Sequence, residues 1–87
     1  MLNKREKSAI VLSSVIKDVT DYQSSLNLSN RLCTDLATKL SVDILNELGL
    51  IDVLDEDLAG DVMKYLHETN VISNNIFKSI KFPYKNS

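Results

Sequence analysis

The sequence predicts an all-α fold: a small compact bundle of three longer helices and one short C-terminal helix. Three observations point there. Apolar residues recur at intervals of three and four along most of the chain, which is the period of a helix with one buried face. Two glycines and one proline are too few for a turn-rich β fold. Hydrophobic residues make up 44% and charged residues 25%, a balance that supports a core and argues against disorder. At 87 residues the expected organisation is a single helical domain, residues 1–87. It carries basic N-terminal residues and a short basic-aromatic C-terminal tail.

The first helix is expected over residues 4–25. Leu12, Val15, Val19, Tyr22 and Leu26 follow a three-four spacing, the seam of a coiled coil. Ala9, Ile10, Val11 and Ile16 widen that stripe, while Ser13, Ser14, Lys17, Asp18, Thr20 and Asp21 fill a polar face. Residues 24–28 read as the connection, because Ser and Asn favour caps and turns.

The second helix is expected to be the central one. Leu32, Leu36, Leu40, Ile44 and Leu48 are each four apart, with Cys33 and Ala37 one position along. A four-residue step returns to nearly the same face, so the leucines are expected to form the core stripe. Ser29 can cap the start, and Gly49 offers the left-handed conformation that ends many helices. Leu50 and Ile51 then fold back on the last turn. Val42 and Leu45 make the second half apolar on more than one side, as in a helix surrounded by protein. A break near Ser41 into two shorter helices is the alternative.

That alternative has a specific form. Leu36-Ala37-Thr38-Lys39-Leu40-Ser41-Val42 resembles the first helix and turn of the helix-turn-helix family. The resemblance implies duplex-DNA binding and covers about ten residues. Ser41 stands where the family has Gly, and Asp43 where it has Ser or Thr. A recognition helix needs polar or basic side chains to reach bases and phosphates. Ile44-Leu45-Asn46-Glu47-Leu48 is apolar and acidic instead. The amphipathic core helix is therefore the preferred reading.

The third helix is expected to start at Asp55, with Glu56 and Asp57 in its first turn complementing the positive end of the helix dipole. Its apolar face is Leu58, Val62 and Leu66, with Ala59 and Met63 beside them and Tyr65 widening it. Gly60 is a weak spot or a point of close approach. An EF-hand reading from Asp55 fails at its last position, where Leu66 replaces the bidentate Glu. A short last helix is expected from Ser73 through Ile76, Phe77 and Ile80, ended by Phe82-Pro83.

Charge is uneven. Residues 43–61 carry seven acids and no base, whereas both ends are basic. Basic ends lying against the acidic turn account for this internally. The functional alternative is an acidic patch of Asp52, Asp55, Glu56, Asp57 and Asp61 offered to a partner protein. Lys78, Lys81, Tyr84 and Lys85 are the residues that would touch nucleic acid, a disfavoured role beside an ordinary tail packing back on the bundle.

No constellation for catalysis, cofactor or metal binding is present, so an enzyme is not expected. Tyr65, His67 and Glu68 are the only candidates for mutation, and a lone His near a helix end is usually structural or solvated. The single cysteine, Cys33, lies on an apolar stripe and acts as a small hydrophobe. A buried lone thiol fits a reducing compartment, so a cytoplasmic location is expected. No run approaches the length of a membrane span. The N-terminal apolar run is interrupted by serines and has no clear cleavage site, so it is not expected to direct export.

The expected role is a non-enzymatic protein–protein interaction module, a small adaptor, regulator or inhibitor. Immunity proteins of toxin systems have this size and balance, an analogy at the level of class only. A helix-turn-helix DNA-binding regulator is the alternative. A homodimer through Leu12, Val15 and Val19 is expected, because a small bundle shields only one side of each helix.

Overall fold

Helices form where the spacing of apolar residues asks for them, and each begins at a polar cap. The computed structural model of the chain describes residues 1–69 and Phe82. Helix α1 spans Lys4–Leu26, α2 Asn30–Glu47 and α3 Glu56–Glu68, with a 3-10 turn at Ile51–Val53. No strand occurs among the described residues. The short helix expected after Ser73 lies outside them, apart from Phe82, which is buried in the core.

The ends of the helices are set by local chemistry. Asn3 closes a capping box on α1: its side chain accepts from the Glu6 N–H at 2.8 Å, and Glu6 Oε1 accepts from the Asn3 N–H at 3.2 Å. Asn27 takes the left-handed conformation after α1, with φ 54°, and the Leu28 N–H reaches back to the Gln23 carbonyl. Ser29 caps α2 by accepting from the Leu32 N–H at 3.1 Å, as its position foretells. Gly49 has φ +69°, and the Leu50 N–H donates to the Leu45 carbonyl at 2.8 Å while Gly49 N–H donates to Asn46. This is the paired-bond ending of a helix. It turns Leu50 back into the core, where it is buried with Leu45. Asp55 caps α3, accepting from the Leu58 N–H at 2.7 Å.

Helix α2 runs unbroken through Ser41. The alternative break is absent and the preferred continuous helix is present, so the helix-turn-helix resemblance has no turn to rest on. Ser41 fits mid-helix because it is one of the small residues on the buried face.

The central element is α1 rather than α2. Helix α1 packs against both α2 and α3, whereas the 3-10 turn carries the chain between those two. From α1 come Leu12, Val15, Ile16 and Val19, and from α3 Leu58, Ala59, Val62 and Leu66. The contribution of α2 corrects the sequence reading. Its buried residues are Cys33, Ala37, Ser41 and Leu45, one position on from the leucine stripe. Leu32, Leu40, Ile44 and Leu48 are 45%, 42%, 37% and 57% exposed, and only Leu36 is partly buried. Small side chains let α2 approach α1 closely, and α1 supplies the large side chains that fill the space between them. Two further expectations are corrected in the same way. Tyr22 and Leu26 continue the α1 seam in sequence but are exposed, and Tyr65 lies outside the buried face of α3. A helix drifts relative to a strict seam, and burial ends where the neighbouring helix ends.

Ser8 and Ser41 are fully buried, and neither hydroxyl has a hydrogen-bond partner. A buried unpaired hydroxyl costs about 1–3 kcal/mol. Ser41→Ala keeps the small volume at the α1–α2 contact and removes that cost. The variant is expected to be more stable by about 1 kcal/mol, measured by urea unfolding. Gly60 offers a second gain. A Cβ built there meets nothing within 4 Å, so it is a weak spot and not a point of close approach. Gly60→Ala is expected to stabilise the chain by about 0.5–1 kcal/mol, read as a higher melting temperature.

Candidate protein-interaction surfaces

The acidic end is partly satisfied from within. Lys4 Nζ lies 3.0 Å from Asp52, and Arg5 Nη1 lies 3.3 Å from Asp55. Both pairs are about half exposed, so their contribution is small and screened by salt. They place the basic start of α1 on the turn that leads into α3, as charge complementarity between the N-terminal end and the acidic centre requires. Glu56, Asp57 and Asp61 are exposed and form no ion pair among the described residues. The acidic patch therefore divides into Asp52 and Asp55, which serve the fold, and three carboxylates that face solvent.

Asp55 shows this structural role in its ionisation. The Leu58 backbone N–H holds its carboxyl below the ordinary carboxylate range, and the Arg5 guanidinium adds to the effect against partial desolvation. A depressed folded-state pKa means the ionised form is favoured by folding. The stabilisation is present above about pH 4 and is lost as pH falls through the lower folded-state value. Asp55→Asn keeps a capping oxygen but cannot titrate. The difference in melting temperature between the two proteins is expected to narrow as pH drops from about 4 downward, which thermal scans across that range would measure.

A groove of about 520 Å³ lies between the N-terminal half of α1 and α3. Ala9, Leu58 and Val62 form apolar parts of its lining, and Ile10 and Tyr65 also line it while remaining 52% and 57% exposed. Asp61 and Glu6 add negative charge to its lining, beside the guanidinium of Arg5. The i, i+4 pairs Asp57–Asp61 and Asp61–Tyr65 place carboxylates along the same side of α3 as the tyrosine. In the sequence Ile10 and Tyr65 read as residues widening a core stripe, Tyr65 also as a candidate for mutation. Their off-stripe positions are the signal that marks them as surface.

The exposed leucines of α2 form the second apolar surface. The sequence reading assigned that role to Leu12, Val15 and Val19 on α1. These three are 0%, 7% and 6% exposed, so they belong to the chain's own core and are not available to a second chain. Lys78, Lys81, Tyr84 and Lys85 lie outside the described residues.

Tyr65, His67 and Glu68 share α3, and no side-chain hydrogen bond joins them. No group of three or more His, Cys, Asp or Glu residues among the described ones is arranged to hold a metal ion. Cys33 is fully buried, and burial pushes its thiol pKa up, so the neutral thiol persists at neutral pH. Among the described residues no helix is long and apolar enough to cross a membrane. Compared with protein-family models, with curated proteins and with solved structures, the chain matches none.

Proposed function

We propose that the chain is a non-enzymatic protein–protein interaction module, a small adaptor, regulator or inhibitor. The observation that carries this reading is the α1–α3 groove, with Ile10 and Tyr65 left exposed beside unpaired acidic residues. An isoleucine and a tyrosine at the surface lose water contact favourably when covered, and tyrosine is a frequent anchor of protein interfaces. Asp61 within the groove, and Glu56 and Asp57 at the start of the same helix, favour a partner that brings basic side chains beside its apolar ones. The partner is therefore another protein with a basic, partly apolar binding segment. The duplex-DNA alternative has less support, because α3 starts with acidic residues and α2 contains no turn.

Proximity labelling in the native host tests the reading. The wild-type chain is compared with an Ile10→Asp, Tyr65→Ser double variant. Both positions are exposed, so the variant is expected to stay folded by circular dichroism. The expected result is one or a few proteins labelled by the wild type and lost with the variant. Identical labelling by the two chains would overturn the groove as the binding site.

A further inference from the structure

We infer that α2 pairs with α2 of a second copy of this chain, antiparallel, about a two-fold axis level with position 37. The inference concerns a different face from the groove and does not depend on it. Two observations carry it: an apolar stripe left uncovered, and a row of charges beside it that complements itself.

Leu32, Leu36, Leu40, Ile44 and Leu48 run about 24 Å along α2. Four of the five are exposed, because α1 covers the adjacent face of Cys33, Ala37, Ser41 and Leu45. An uncovered row of large aliphatic residues at four-residue spacing is also a ridge of the kind that fits into a groove of another helix. A single exposed leucine needs no partner, but a continuous row of this length is uncommon on a monomer.

The border of the row identifies the occupant. Arg31, Asp35, Lys39 and Asp43 stand at the same four-residue spacing, each one position before a stripe residue, and all are exposed. The signs alternate as plus, minus, plus, minus. None of the four is in an ion pair among the described residues, although neighbours on the helix are at pairing distance in sequence. Read backwards, that order is minus, plus, minus, plus, which is its own complement. An antiparallel second copy therefore meets every charge with its opposite. Asp35 faces Lys39 of the second copy, and Arg31 faces Asp43, each twice by symmetry. That register centres on position 37 and staggers the stripes, so Leu36 of one copy falls between Leu36 and Leu40 of the other, ridge into groove. The charge row fixes this register, and the leucine ridges interdigitate within it. A two-fold interface requires self-complementarity of this kind. In a parallel pair the two-fold runs along the helices and places the two charge rows on opposite edges of the stripe, so the charges do not meet their opposites.

Sedimentation equilibrium of the full chain at low ionic strength tests the inference, with circular dichroism and thermal melting of each variant as a check on folding. The wild type is expected to be a dimer at high micromolar concentration. Leu40→Asp replaces an exposed residue and is expected to give a folded monomer. Lys39→Asp sets like charges against Asp35 and is expected to weaken the dimer about tenfold or more. Asp35→Lys combined with Lys39→Asp reverses both signs, restores complementarity and is expected to return the dissociation constant to within a few-fold of wild type. A wild-type monomer at high micromolar concentration overturns the inference and leaves the stripe to a different protein. A dimer that survives Leu40→Asp, or a double variant as weak as Lys39→Asp alone, overturns it as well.

Discussion

Val15→Asp is expected to unfold the chain. Val15 is 7% exposed and sits in the cluster formed by Leu12, Ile16 and Val19 of α1 with residues of α2 and α3. A carboxylate there would be surrounded by aliphatic side chains with no basic partner. Burying an unpaired charge costs several kcal/mol, or forces the group to take up a proton. A domain of this size has only about 5–15 kcal/mol of stability in total. The expected result is loss of the helical circular dichroism signal at neutral pH, or a melting temperature lowered by about 20 °C or more. Part of the signal should return at acidic pH, where the carboxyl is neutral. The outcome separates two placements of the same residue. A folded monomer would put Val15 at a contact between chains, as the seam spacing of α1 suggests. An unfolded chain puts it in the chain's own core.

Leu45→Ala and Leu40→Ala are expected to differ sharply, although the residues share a helix and lie five positions apart. Leu45 is fully buried beside Leu50, which the glycine ending of α2 folds back toward it. Truncating it leaves a cavity, and the expected loss is about 2–5 kcal/mol. Leu40 is 42% exposed, and its loss is expected to stay within about 1 kcal/mol. Chemical denaturation at low protein concentration, where copies are apart, gives both values. Equal losses would mean that α2 buries its leucine row after all. The contrast is therefore a direct measurement of which face of α2 meets α1.

The caps that start α2 and α3 and the glycine that ends α2 were legible one by one, whereas the Asn3 capping box of α1 was not read. Ser29, Gly49 and Asp55 act within four residues of their own positions, through a free N–H or a left-handed φ. Such effects need no tertiary partner to operate. The buried face of α3 was legible for a related reason: Leu58, Val62 and Leu66 are its largest aliphatic residues and share one side. The groove was not legible. It joins Ile10 to Tyr65 across 55 positions, and no local pattern in either helix marks the other.

Helix α2 shows where the two kinds of information part. Its sequence carries two rows at four-residue spacing, one of large leucines and one of Cys33, Ala37, Ser41 and Leu45. Periodicity establishes that both rows exist and that each lies along one side. It favours the leucines for burial because they lose the most contact with water. The tertiary structure decides otherwise, because burial depends on the shape of the neighbour as well as on hydrophobicity. Helix α1 already brings Leu12, Val15, Ile16 and Val19 to the contact, and large residues on both sides would hold the helices apart. The sequence by itself determined an all-helical fold, the capped starts of α2 and α3, the glycine end of α2 and the self-complementary charge row beside the leucines. Only the packing of α1 between α2 and α3 decided that the leucine row faces outward, and that Leu12, Val15 and Val19 face in.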